Sequence, residues 1–167
     1  MARSPKIDLK NATIKFLDGT AVTPQELELK VDDGNITFQS QREIEYVLNR
    51  GKLDSTREGD EVPMSVSINL RWDEIRASTA DSHMSPYEFI TGENKGSAVV
   101  STGADCEPLA IDIQVVLGLD ACSGSNVEDE TIVFTQFRYE SIDGDASNGT
   151  LSVQGRCNAK HPTSTRG

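Results

Sequence analysis

Few residues in this 167-residue chain have the types and spacing that catalysis or metal binding requires. The two histidines, His83 and His161, lie in polar segments, and neither accompanies a serine or cysteine nucleophile motif. Cys157 and His161 are four residues apart, but one thiolate and one imidazole are fewer than the three or four protein ligands of a zinc site. We therefore expect surface histidines and no metal site.

The run from Asp143 to Gly149 has partial likeness to a calcium-binding loop, because Asp143, Asp145 and Ser147 alternate as oxygen ligands do. The glycine comes one position too late, however, and the twelfth position is Gln154 instead of a bidentate glutamate. The run is better interpreted as an acidic turn between two strands.

Carboxylates are abundant, but the sequence offers no positioned acid/base pair. Glu43, Glu45 and Asp112 alternate with apolar residues, which predicts that they lie on solvated strand faces. The chain also has no glycine-rich loop of the kind that binds nucleotide phosphates. We expect a protein that is not an enzyme and that has no cofactor.

The composition argues against a membrane protein and against tight nucleic-acid binding. The formal net charge is −11, whereas phosphate-backbone binding calls for a basic surface. No apolar run approaches the length of a membrane span, and the first residues contain no apolar signal region. Hydrophobic residues make up only 36% of the chain, which favours a protein that gains part of its stability by association.

The three cysteines, Cys106, Cys122 and Cys157, are an odd number without C-x-x-C spacing. This pattern favours free thiols in a protein made in a cytosol. One disulfide, within or between subunits, is the alternative.

Period-two alternation indicates half-buried strands along most of the chain. It is clearest after residue 63, where five apolar residues alternate with polar ones: Met64, Val66, Ile68, Leu70 and Trp72. Ile44, Tyr46 and Leu48 alternate in the same way and predict a second buried face. The predicted strands cover 11–17, 26–31, 35–39, 42–48, 63–72, 97–101, 109–117, 130–139 and 151–156, and Asp32–Gly34 predicts a hairpin between the second and third of them.

Two local features refine this picture. Ser85, Pro86 and Glu88 predict the start of a short helix, and Gly92 predicts its end. Near Gln136 the inward-facing set of the strand 130–139 changes phase, which suggests a β-bulge. The fold class is therefore mainly β, as a β-sandwich or open β-barrel with one short packed helix.

Residues 49–62 break the alternation with charges of both signs and predict a long inter-strand loop. Gly51 and Gly59 let the backbone turn, and Leu53 is an apolar residue that a solvated loop tip does not need. A long loop of mixed charge is more often a binding element than a connector.

Tyr46–Pro63 and the alternating strand after it resemble the tail tube (major tail) proteins of tailed bacteriophages. Further similar segments follow in the family's order: Cys106–Ile113, Glu130–Phe134, Phe137–Tyr139 and Leu151–Asn158. The resemblance covers about residues 11–158 and implies a single tail-tube β domain there, with the extended charged loop at 49–62. Residues 1–10 are predicted to be an N-terminal arm and 159–167 a mobile C-terminal tail.

The resemblance implies a structural subunit whose hexameric rings stack into a hollow tube that conducts DNA into the host. Its implied partners are further copies of itself, the tape measure protein, and the tail terminator and distal tail proteins. DNA would pass through without sticking. The implied location is the virion tail, assembled in the host bacterial cytoplasm.

Two sets of residues receive hypothetical roles within such a tube. Mixed charges on the 49–62 loop can pair with a neighbouring ring, with Leu53 as the apolar anchor. The inter-ring set is Arg50, Lys52, Leu53, Asp54, Arg57, Glu58 and Asp60. Acidic and neutral residues would face the lumen, and the candidates are Glu43, Glu45, Ser65, Ser67, Asn69 and Asp112.

Two alternatives stay open. The same tube fold could serve a tailocin or a contractile secretion system. A monomeric β-sandwich that binds carbohydrate or mediates adhesion is less favoured, because such modules usually expose an aromatic platform and aromatic residues make up only 5% of this chain.

Overall fold

The computed structural model of the chain describes residues 12–29, 36–71, 85–93, 99–118 and 130–166. Within these ranges the protein forms ten strands and one short helix, which confirms the mainly β class. In chain order they are β1 (Thr13–Leu17), β2 (Glu26–Leu29), β3 (Ile36–Gln39), β4 (Ile44–Asn49), β5 (Lys52–Glu58), β6 (Met64–Arg71), α1 (Pro86–Thr91), β7 (Ile111–Leu117), β8 (Glu130–Asp145), β9 (Thr150–Cys157) and β10 (Thr163–Arg166).

Eight strands form one antiparallel sheet in the order β2-β1-β7-β8-β9-β6-β3, with β10 paired to β8 beside this path. The remaining two, β4 and β5, form a separate two-stranded sheet. The alternation predicted for β6 is confirmed, because Met64, Val66, Ile68 and Leu70 are all at most 2% exposed. Trp72 lies outside the described residues.

The large sheet is curled around its buried face. Six residues join β2 to β3, the two ends of the strand order, and a chain of that length spans at most about 25 Å. Seven strands laid flat would hold these edges about 29 Å apart. Curling also brings Phe38 of β3 to Phe134 of β8, with ring centroids 5.5 Å apart although two strands separate them. The architecture is thus an open barrel around one core.

Helix α1 begins and ends as its sequence predicts. The Ser85 hydroxyl accepts a hydrogen bond from the Glu88 amide at 3.3 Å, and Gly92 ends the helix with a φ of 74°. Phe89 and Ile90 are buried on the core. The ring of Phe89 lies 6.0 Å from that of Phe16, which seats the helix against the β1 side of the sheet.

The β-bulge predicted near Gln136 is also confirmed. Ile111 and Ile113 of β7 face Phe137 and Phe134 of β8, so Asp112 alone opposes two residues of β8. Gln136 has a φ of 51°, and its amide donates to the Asp112 carboxylate at 2.9 Å. The bulge lets both Phe134 and Phe137 point into the core, which accounts for the phase change in the sequence.

Four predictions about the large sheet were wrong. Residues 143–145, predicted as part of an acidic turn, belong to β8, and the turn is limited to 146–149. The hairpin between β2 and β3 does not form, because β2 pairs with β1 and β3 with β6. Residues 99–101 are not a strand. The segment 159–167 was predicted to be a mobile tail, but its residues Thr163–Arg166 form β10 against β8. Strand β10 has no apolar residue, so its sequence shows no alternation from which a strand could be predicted.

A buried carboxylate holds the loop after β1 against the chain before β7. Asp18 is only 3% exposed. It accepts hydrogen bonds from the amides of Gln25 at 2.7 Å, Thr20 at 3.2 Å and Val100 at 3.2 Å, and from the Thr20 hydroxyl at 2.6 Å. These bonds satisfy backbone donors that no strand ladder can reach.

Replacing Asp18 with alanine should lower the free energy of unfolding by roughly 1–3 kcal/mol, because three backbone amides lose their buried acceptor. Urea unfolding followed by circular dichroism measures the change. Asp105→Ala removes an exposed carboxylate and should stay within about 0.5 kcal/mol of the parent protein. Equal unfolding midpoints for the two variants would contradict this account of Asp18.

Candidate functional site

The predicted 49–62 loop is in large part a strand. Asn49 pairs with Lys52, so Arg50 and Gly51 alone connect β4 to β5. Both have positive φ, 52° and 79°, as the two central residues of a type I′ hairpin turn require. The alternation did not predict β5 because Leu53 is its only apolar residue, so the strand shows no apolar period.

The two faces of this hairpin differ in chemistry. Cross-strand pairing places Tyr46 opposite Thr56 and Leu48 opposite Leu53 on one face. Asp54 is an extra residue in β5 at the register shift, and beyond it the other face pairs Val47 with Ser55. We call the set Ile44, Tyr46, Leu48 and Leu53 the apolar hairpin face.

The apolar hairpin face was predicted to be buried, and the structure shows that it is not. Tyr46 is 62% exposed, Leu48 59% and Leu53 75%. Alternation identifies residues that share a face, but it does not determine whether another layer covers that face. Since a two-stranded hairpin is at best marginally stable alone in water, an exposed apolar side on it is a binding-surface candidate.

The charged residues of the hairpin fall into two groups. Arg57 is paired with Glu45 across the strands, and Glu58 with Lys160 at 2.8 Å, so both lie in ion pairs within the chain. The hydrogen bond from Lys160 and its charge lower the pKa of Glu58, and the same contact raises the pKa of Lys160. The other charged members of the predicted inter-ring set are exposed along the hairpin and its exit: Arg50, Lys52, Asp54 and Asp60.

The predicted lumen-facing residues divide between the two sheets. Ser65, Ser67 and Asn69 share the outer face of β6. Asp112 of β7 is on the same outer face of the large sheet. The residues before and after it in β7 point into the core, on the same side as the buried residues of β6, as the strand register from β7 through β8 and β9 to β6 shows. Glu43 and Glu45 are instead at the hairpin, so they do not join this outer polar face.

The outer polar face also contains two arginines that sequence reasoning missed. Arg156 pairs with Ser65 and with Arg138 in the strand register. Each guanidinium has a carboxylate partner: Arg156 lies 3.4 Å from Glu140, and Arg138 lies 2.6 Å from Glu107. The polar face is therefore close to neutral around these two arginines.

A shallow groove of about 360 Å³ lies on this outer face. Hydroxyl, amide and ionic side chains from four strands line it: Thr37, Gln39, Ser65, Ser67, Glu140, Gln154 and Arg156. Phe38 also lines the groove, so beside these hydrogen-bonding groups there is one half-exposed aromatic ring, which packs edge-on against Phe134.

Chemistry-bearing residues are sparse in the part of the chain that is described. No group of three or more His, Cys, Asp or Glu residues there could hold a metal ion, and no described helix is long and apolar enough to cross a membrane. His161 is exposed, and Asp145 caps the acidic turn by accepting from the Ser147 amide at 3.0 Å. His83 and Cys122 lie outside the described residues.

No protein-family model and no curated protein matches this chain in sequence. The geometry of the hairpin and of the sheet therefore carries the functional argument.

The two described cysteines are free thiols in opposite environments. Cys106 is exposed, whereas Cys157 is buried under the sheet and its burial raises the pKa of its thiol to about 12. Because the pKa of the Cys157 thiol is higher in the folded than in the unfolded protein, the free energy of unfolding should fall as pH rises from about 9 towards 12.

At pH 8, iodoacetamide should therefore label Cys106 readily in the native protein and leave Cys157 unlabelled until the protein unfolds, because the thiolate is the nucleophile. Peptide mapping by mass spectrometry distinguishes the sites. Native labelling of Cys157 at a rate near that of Cys106 would show that the β6–β9 region opens.

Proposed function

We propose that this protein is a structural subunit that assembles with copies of itself into the tube of a phage tail, where it forms a conduit for DNA. The observation that carries the proposal is the exposed apolar hairpin face. Tyr46, Leu48 and Leu53 lie side by side on a projection that has no core of its own. Covering these side chains with another copy would remove apolar surface from water at every repeat of the assembly.

The hairpin fits head-to-tail contacts better than contacts related by a twofold axis. The apolar hairpin face differs chemically from the faces of the large sheet. The hairpin of one copy would therefore dock on a different kind of surface of the next copy. Such heterologous contacts generate rings or open filaments. Tyr46 and Leu53 would supply the affinity, and Arg50 and Lys52 at the hairpin tip would supply complementary charge and register.

The sheet edges support lateral association in the same assembly. β2 and β3 end the strand order, and each has a pairing partner on one side within the described residues. A free edge is a template for another strand, and closure of several sheets into a barrel removes it. In the proposed ring, neighbouring subunits would meet along these edges.

The outer polar face suits a surface that a polyanion must slide past. Ser65, Ser67 and Asn69 of this face are uncharged, and Arg138 and Arg156 already have carboxylate partners. Because affinity for DNA rises with the number of phosphates that free cations neutralise, such a face would hold DNA weakly. We assign this face to the lumen of the proposed tube.

A substitution on each hairpin face tests the proposal. Leu53→Asp puts a charge on the apolar hairpin face, and Ser55→Asp puts the same charge on the opposite face of β5. Since burying a leucine side chain is worth about 1.5–3 kcal/mol and 1.4 kcal/mol is tenfold in affinity, Leu53→Asp should raise the assembly concentration at least about tenfold. Ser55→Asp should assemble nearly as the parent does.

Sedimentation velocity over a concentration series, with negative-stain microscopy of the assembled fraction, measures both effects. Circular dichroism melting serves as the folding control, because both residues are exposed and neither change should lower the melting temperature. A parent protein that stays monomeric at every concentration would refute the proposal. Equal assembly by the two variants would exclude the apolar hairpin face as the contact.

A further inference from the structure

The hairpin is joined to the large sheet by two short links that lie outside the strand ladders. Residues 40–43 lead from β3 into β4, and residues 59–63 lead from β5 into β6. The strands flanking the links are paired, since Gln39 opposes Ser65 on the sheet side and the Gly59 amide donates to the Glu43 carbonyl at 2.9 Å on the hairpin side. The two links thus form a joint between two pieces of regular structure.

Lys160 spans this joint from a third part of the chain. Its ammonium nitrogen lies 2.8 Å from a carboxylate oxygen of Glu58, the last residue of β5, and 3.1 Å from one of Glu61 in the exit link. One cation therefore contacts both the end of the hairpin and the link that connects it to β6. We call these three residues the Lys160 clasp.

The backbone that presents Lys160 is itself fixed to the large sheet. The Ala159 carbonyl accepts from the Met64 amide at 3.0 Å, directly before the lysine. The Asn158 amide donates to the Gln136 carbonyl at 3.3 Å, and the side chains of the same two residues are hydrogen bonded at 3.2 Å. Lys160 is consequently held by the sheet at its backbone and holds the hairpin at its side chain.

We propose that Lys160 is a positioning residue, which sets the angle at which the hairpin leaves the sheet and so presents the apolar hairpin face in one orientation for assembly. The assembly role rests on the proposed function, whereas the positioning itself is a property of the single subunit. Its benefit would be preorganisation: a hairpin that already points in the bound direction loses less conformational freedom on docking.

The strength of the contacts agrees with positioning and not with a role in stability. Exposed ion pairs contribute little to folding because water screens them, and both carboxylates of the clasp are solvated. A joint made of two links with few backbone hydrogen bonds, however, leaves several hairpin angles close together in energy. Two ion pairs on one lysine are enough to favour one of those angles.

The test uses single subunits first. Spin labels are attached at Ser55→Cys on the hairpin and Asn69→Cys on β6, in a protein that also carries Cys106→Ser and Cys122→Ser. Pulsed electron paramagnetic resonance then measures the distribution of distances between the labels, which reports the hairpin angle. We expect one narrow distribution for the parent. Lys160→Met should broaden it at least twofold, because the methionine keeps the apolar stem and removes the charge.

Three further variants separate positioning from a general loss of charge. Lys160→Arg should keep the distribution narrow, and Lys160→Glu combined with Glu58→Lys should restore it relative to Lys160→Glu alone. Lys15→Met breaks an exposed ion pair of similar kind with Glu26, 3.2 Å long and away from the joint, and should leave the distribution unchanged. Raising salt to 1 M should broaden the parent distribution, because it screens the pairs.

The same variants are then compared in assembly. Lys160→Met should need about three- to tenfold more protein to assemble, with an unchanged melting temperature. An unbroadened distribution for Lys160→Met would overturn the positioning role whether or not the parent assembles. Broadening with unaltered assembly would overturn the link to assembly, and a parent that never assembles would refute the proposed function alone.

Discussion

The structure depends on a row of buried residues that runs across three neighbouring strands. Met64 of β6 opposes Cys157 of β9, which opposes Phe137 of β8, and all three are almost completely buried. Close backbone approach tightens this region: a Cβ atom on Gly155 would come within 2.1 Å of the Arg138 carbonyl oxygen. This row fixes the register of β6 against β9 at the ends of these strands from which the hairpin leaves the sheet.

That register places two distant parts of the chain side by side. Met64 is the first residue after the exit link of the hairpin, and Cys157 comes three residues before Lys160. Because the core pairs these two strand ends, the lysine reaches Glu58 and Glu61 although about 100 residues separate them. The apolar contacts of the core thereby determine the position of an ion-pair cluster at the surface.

The hairpin contrasts with the sheet that carries it. The sheet buries one face on a core that includes α1, and it presents hydroxyls, amides and paired charges on the other. The hairpin presents apolar side chains to solvent, and none of the described elements covers them. A subunit that folds around one core and projects an unburied apolar surface is suited to completing its packing in an assembly, which is why we favour a tube subunit over a solitary module.

Alternation and turn chemistry determined much of the fold from the sequence alone. They located eight of the ten strands, seven of them to within two residues at each end, together with the capped helix and the bulge at Gln136, because each depends on local backbone preferences and on one apolar strand face. Strand β8 continues six residues beyond its predicted end. Alternation failed where a strand has a single apolar residue, as β5 has in Leu53, or none, as in β10. It also could not tell that the face of Tyr46 and Leu48 is exposed. Only the tertiary structure decided that β2 and β3 lie at opposite ends of the sheet and that Lys160 meets the hairpin. Such contacts join residues far apart in the chain, and they follow from how strands pair and not from the pattern within any one of them.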